Sequence, residues 1–85
     1  MQIFTVYDSA TRAYLQPFFC RSNGEAIRSF QDAANDPKHI FNQHIMDYTL
    51  FYLGEWDDEG GTFEPNTPTR VTSAKEMSMQ SISKV

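Results

Sequence analysis

The chain has 85 residues, with seven Lys or Arg against eleven Asp or Glu and a net charge of −4. That size leaves room for one small core, and that charge excludes nucleic-acid binding driven by overall attraction to phosphate. The single cysteine, Cys20, excludes an intramolecular disulfide, and neither an apolar run of membrane-spanning length nor a charged-then-apolar leader occurs. One cytosolic domain is expected.

The first predicted element is a β-hairpin. "QIFTVY" at residues 2–7 is β-branched and aromatic, "DSATR" is a polar turn, and "AYLQPFFC" resumes an extended apolar pattern. Pro17 lacks the donor a central strand needs, so the second strand belongs at a sheet edge or carries a bulge there. At Ser22 the period changes to that of a helix, with the Ser22 hydroxyl at the N-cap and Glu25 three positions on. Ile27, Phe30 and Ala34 fall on one face, flanked by Ala26 and Ala33, and this face should cover the sheet. Asn35, tolerant of the left-handed conformation, and Pro37 should end the helix. Residues 38–46 lack a clear period and read as a loop with at most one short turn.

"DYTLFYLGEW" reads as the longest strand, central in the sheet. Tyr48, Leu50, Tyr52 and Trp56 alternate with Thr49, Phe51 and Leu53, so both faces are apolar. "DDEGG" connects it to a shorter strand, "TFEP", which Pro65 should end. The expected fold class is therefore α+β: a small ββαββ domain over residues 1–68, with a mainly antiparallel four-stranded sheet and one helix packed on one face. Residues 69–85, rich in Thr, Ser and Met, read as a C-terminal tail that is flexible at least in its last ten residues. Apolar residues on both sides of the central strand, with one helix to cover them, predict a homodimer that closes the open face.

The chemical motifs are few. "DDEGGTFE" has consecutive rather than alternating acids and lies between strands, so it is a solvated turn and not a calcium loop. His39 and His44 stand in an unperiodic loop, and Cys20 has no second thiol, so no zinc set forms. Cys20 fits a buried small hydrophobe better than a nucleophile. Gly24 and the Gly60–Gly61 pair match no phosphate-binding fingerprint. No cofactor is implied, and no residue set supports an enzyme.

Charge and rings carry what signal there is. Residues 41–69 hold Asp47, Glu55, Asp57, Asp58, Glu59 and Glu64 with no Lys or Arg, whereas residues 1–40 balance Arg12, Arg21, Arg28 and Lys38 against four acids. Twelve aromatic residues, many on predicted strands, serve either a core or a stacking surface for single-stranded nucleic acid. Tyr14, with Arg12 beside it and Arg21 at the far end of the same strand, is the grouping that suits stacking plus phosphate contact. Arg28 on the helix completes the candidate set, although Asp32 lies one turn on and can pair with it.

Taken in order and at this spacing, "IFTVYDS…AYLQPFF", "AIRSFQDAANDP" and "DYTLFYLGEWDDEGGTFEP" resemble the small nonstructural protein of gokushoviruses, the microvirus group of small single-stranded-DNA phages. The resemblance covers about residues 1–65. It implies a non-virion protein of the host bacterial cytoplasm, working in genome replication or packaging. It supplies no established active residues. Two expectations from different classes follow. One is weak single-stranded-DNA binding through Arg12, Tyr14, Arg21 and Arg28. The other is a homodimeric interaction module that docks onto the replication initiator, the procapsid or a host factor.

Overall fold

A computed structural model describes residues 1–78. The elements run β1 (Gln2–Asp8), β2 (Ala13–Tyr14), β3 (Phe18–Cys20), α1 (Asn23–Ala34), α2 (Ile40–Gln43), β4 (Tyr48–Asp57), β5 (Thr62–Ser73) and α3 (Ala74–Met77). The class is α+β, as expected, with an antiparallel sheet that curls into a half-barrel. Strand order is β2-β1-β4-β5, and β3 also pairs with β1. The expected second strand is thus one edge strand interrupted at residues 15–17, where Pro17 has no N–H to give the ladder. Across the gap the Leu15 N–H still donates to the Val6 carbonyl at 2.8 Å.

One face of the sheet carries the helices. Phe4, Val6, Tyr48 and Leu50 form its core with Ala26, Phe30 and Ala34 of α1 and Ala74 of α3. Ile27 packs against this core only in part. Helix α1 starts as its sequence dictates: the Ser22 hydroxyl accepts from the Glu25 N–H at 3.1 Å, while the Glu25 carboxylate reaches back to the Arg21 N–H at 2.7 Å. Asn35 closes it with φ −104°, not in the left-handed conformation. Its side-chain amide instead donates to the carbonyls of Gln31 and Met77, both at 2.9 Å, which ties α1 to α3.

Two features of the second half depart from the sequence reading. Strand β5 does not end at Pro65 but runs through Pro65 and Pro68 to Ser73, so it passes the boundary at residue 68 drawn from composition. As an edge strand it can leave its prolines facing away from the ladder, and its register against β4 shifts between Tyr52 and Gly54. Helix α3 follows at once, capped by a reciprocal Ser73–Glu76 box. The rest of the expected tail, residues 79–85, lies outside the described residues.

The second departure is in β4. Ile3 stands opposite Gly54 and Phe4 opposite Tyr52, which leaves Leu53 as an extra residue. A bulge resets the alternation of side chains. Trp56 therefore falls on the Ile3 side of the sheet, not with Tyr48, Leu50 and Tyr52. Beyond the bulge β4 and β5 form an arm, with every residue from Asp57 to Arg70 exposed.

Candidate nucleic-acid interface

The face of the sheet away from the helices is built by register. Tyr7 of β1 pairs with Tyr14 of β2 on one side and Thr49 of β4 on the other. Thr5 pairs with Phe51, and Phe51 with Arg70 of β5. Directly opposed residues share a face, so three strands bring Tyr7, Tyr14 and Phe51 together. Their ring centroids lie 4.8 Å apart for Tyr7–Tyr14, 5.6 Å for Tyr14–Phe51 and 6.4 Å for Tyr7–Phe51, tilted or edge-on. Tyr14 is 50% exposed. Thr5, on the floor of this face, is buried, and its hydroxyl donates to the Leu15 carbonyl at 2.6 Å.

The four residues singled out from sequence do not form one group. Tyr14 belongs to the ring cluster. Arg12, exposed, sits in the adjoining turn, where Asp8 organises the backbone: its carboxylate accepts from the Ala10 and Thr11 N–H groups, and its carbonyl from the Arg12 N–H. Arg12 has φ 59°, in the left-handed region. Arg21 is exposed at the opposite end of the same edge, beyond β3. Arg28, exposed on α1, lines a groove with Phe18, Phe19, Cys20 and Asp32 on the helical side and does not join Tyr14.

Three participants were not legible as such. Tyr7 and Phe51 sat in strands read as core, and Arg70 sat in a segment read as tail. What joins them is inter-strand register, which no local pattern carries. Arg70 stands opposite Phe51 and pairs with Glu76 at 2.8 Å. That arginine, then the Ser73 N–H and the Thr72 hydroxyl, hold the Glu76 carboxyl below its usual range.

Asp8 adjoins the ring cluster and Glu76 holds Arg70, whereas the acids of the arm's tip lie apart from the rings. Asp57 Oδ1 accepts from the Glu59 N–H at 3.0 Å at the arm's tip, and Glu55 accepts from the Tyr52 hydroxyl at 2.7 Å. Six residues of strand separate Phe51 from Asp57, roughly 20 Å at about 3.3 Å per residue. That is more than twice the Debye length of about 8 Å at physiological salt.

The other chemically suggestive groups have structural partners. His39 Nδ1 accepts from the Phe41 N–H at 3.0 Å, capping α2. Cys20 is buried, and burial together with Glu25 pushes its thiol up, away from thiolate chemistry. Among the described residues no group of three His, Cys, Asp or Glu is placed to hold a metal, and no helix is long and apolar enough to cross a membrane.

The sequence matches the family described as Phage ORF5 protein over residues 1–77. The chain belongs to the phage ORF5 protein family. It is thus a phage protein, and the family's match reaches through β5 and α3 as well as the hairpin, α1 and β4. No curated protein and no solved structure matches this ORF5 family chain.

Proposed function

We propose that this protein binds single-stranded DNA across the helix-free face, as a nonstructural protein of a small single-stranded-DNA phage of the gokushovirus group. It would act in genome replication or packaging in the host bacterial cytoplasm. The observation that carries the reading is the Tyr7–Tyr14–Phe51 cluster, open to solvent at Tyr14, with Arg12 in the adjoining turn and Arg70 opposite Phe51. Bases stack on such rings without sequence preference, while arginines meet the backbone. The tip of the acidic arm, from Asp57 to Glu59, lies more than two Debye lengths from Phe51, while Glu55 and its partner Glu64 lie at roughly 13 Å. Arg21 and Arg28 are peripheral to this path, and the reading gives the protein no catalytic step.

Each stacked base is worth about 1–3 kcal/mol, so Tyr14→Ala should weaken binding roughly 5- to 150-fold. Two or three phosphate contacts give a log–log salt slope of about −1.4 to −2.1. Fluorescence anisotropy with a labelled single-stranded oligonucleotide at low and moderate salt, on the wild type and on Tyr14→Ala, Arg12→Ala and Arg28→Ala, tests this. Arg28→Ala should matter least. No binding at low salt, or binding indifferent to Tyr14 and Arg12, sinks the reading. The exposed Phe19 and Phe63 then favour the interaction module, with a second copy or a phage replication or capsid protein as its partner.

A further inference from the structure

Arg70 stands on the DNA path already engaged. Among the described residues it is the only Lys or Arg on any strand of the sheet, since β1 to β4 carry none and β5 carries no other. It lies opposite Phe51, three strand spacings from the strand of Tyr14, or roughly 14 Å at about 4.8 Å per spacing. The β5 end of the path depends on this one cation.

Glu76 of α3 holds it. Arg70 Nη2 donates to Glu76 Oε2 at 2.8 Å, while Oε1 accepts from the Thr72 hydroxyl at 3.0 Å and from the Ser73 N–H at 3.1 Å. The two oxygens differ in their tasks: Oε1 caps α3 and Oε2 keeps the arginine. Helix α3 packs on the helical side of the sheet through Ala74, so the ion pair draws the guanidinium toward the helices. The hold is weak. Both side chains are half exposed, and an exposed ion pair contributes little because water and salt screen it. When the arginine leaves, Glu76 retains two donors and a hydrated oxygen, and Arg70 exchanges one oxyanion for another on meeting a phosphate.

We propose that Glu76 gates the DNA face: with Arg70 in the ion pair the rings have Arg12 but not Arg70, and a backbone phosphate of the single strand must take Arg70 from the carboxylate. The inference rests on the reading of this face as a single-stranded-DNA site. Carboxylate and phosphate compete for one guanidinium, so the ion pair lowers affinity. Helix α3 thereby regulates a surface on the other side of the sheet.

Glu76→Gln removes the charge and keeps a side chain that a capping box accepts at this position. Anisotropy titrations with a labelled single-stranded oligonucleotide at moderate salt, where a Debye length of about 10 Å mutes distant charges, should show it binding about 1.5- to 5-fold more tightly than the wild type. Arg70→Ala should weaken binding and flatten the log–log salt slope by about 0.7, one phosphate fewer. The two changes together should bind as Arg70→Ala alone does, because the gain acts through the arginine. Glu59→Gln, the same loss of charge at the arm's tip, should leave binding unchanged. Circular dichroism establishes that each variant is folded. A Glu76→Gln protein that binds no more tightly than the wild type, or a gain that persists without Arg70, overturns the gate, while binding that still depends on Tyr14 leaves the underlying reading standing. A wild type that binds no oligonucleotide overturns both.

Discussion

Gly54→Ala probes the bulge on which the placement of the arm depends. Gly54 has φ +143°, a conformation that side chains with a Cβ rarely adopt, and a Cβ built there would overlap the Glu64 carbonyl oxygen and lie 3.1 Å from the Pro65 Cα. Both obstacles are backbone of the neighbouring strand, so no rotamer change relieves them. Forcing the φ alone costs about 1–3 kcal/mol, and displacing β5 adds to it, for a total of about 3 kcal/mol. In a domain of this length that corresponds to a fall in Tm of about 12–24 °C. Gly24→Ala is the matched control. Gly24 lies in the first turn of α1, and its nearest prospective neighbour is Ser22 Oγ at 3.9 Å. There alanine should be neutral or stabilising by up to about 1 kcal/mol. Thermal unfolding followed by far-UV circular dichroism compares the two, and Trp56 emission reports whether the arm has moved. A Gly54→Ala protein that melts with the wild type and keeps its Trp56 spectrum refutes the account of the bulge.

Three further outcomes follow from the packing and the charges. Phe4 is fully buried between Phe18 and Tyr52, with centroids at 6.0 and 5.6 Å. Phe4→Ala should therefore cost about 3–5 kcal/mol in urea unfolding, and a loss under about 1 kcal/mol contradicts that placement. Glu76 has a folded pKa below its ordinary value of 4.5, chiefly because of Arg70. Its contribution to stability is complete above the unfolded pKa and fades as pH falls through the lower folded one. An NMR titration of its carboxyl carbon should show that low midpoint, and Arg70→Ala should return it toward the ordinary range. Cys20, raised by burial and by Glu25, should react with a thiol reagent far more slowly in the native protein than in urea. Equal rates in the two states would place the thiol at the surface.

Local pattern revealed those elements whose cause is local. The Ser22 cap, the Ile27–Phe30–Ala34 spacing and the alternation in "YTLFYL" specify α1 and the first half of β4 from within their own residues. Pro17 marked the edge for the same reason, but not the interruption that splits it into β2 and β3. What escaped depends on partners distant in sequence. The proline rule ended β5 at Pro65 because the segment was weighed alone, whereas pairing with β4 carries it on to Ser73. Helix α3 is four residues long, too short to show a period. Of the candidate site, Tyr14 was visible as a ring beside a cation on an edge. Tyr7, Phe51 and Arg70 came to it only through register, and the Leu53 bulge moved Trp56 to the opposite face from the one alternation gave it.

The backbone at Arg12 sets the terms on which that position can be altered. A left-handed φ of 59° costs a non-glycine residue about 1–2 kcal/mol relative to one free to adopt it. Arg12→Gly should thus relieve a strain that Arg12→Ala retains, against some added freedom of the unfolded chain. A library ranked by thermal tolerance alone would then replace this arginine with glycine and discard a cation from the rim of the ring cluster. Selection for robustness and selection for the proposed contact with DNA would pull this one codon in opposite directions.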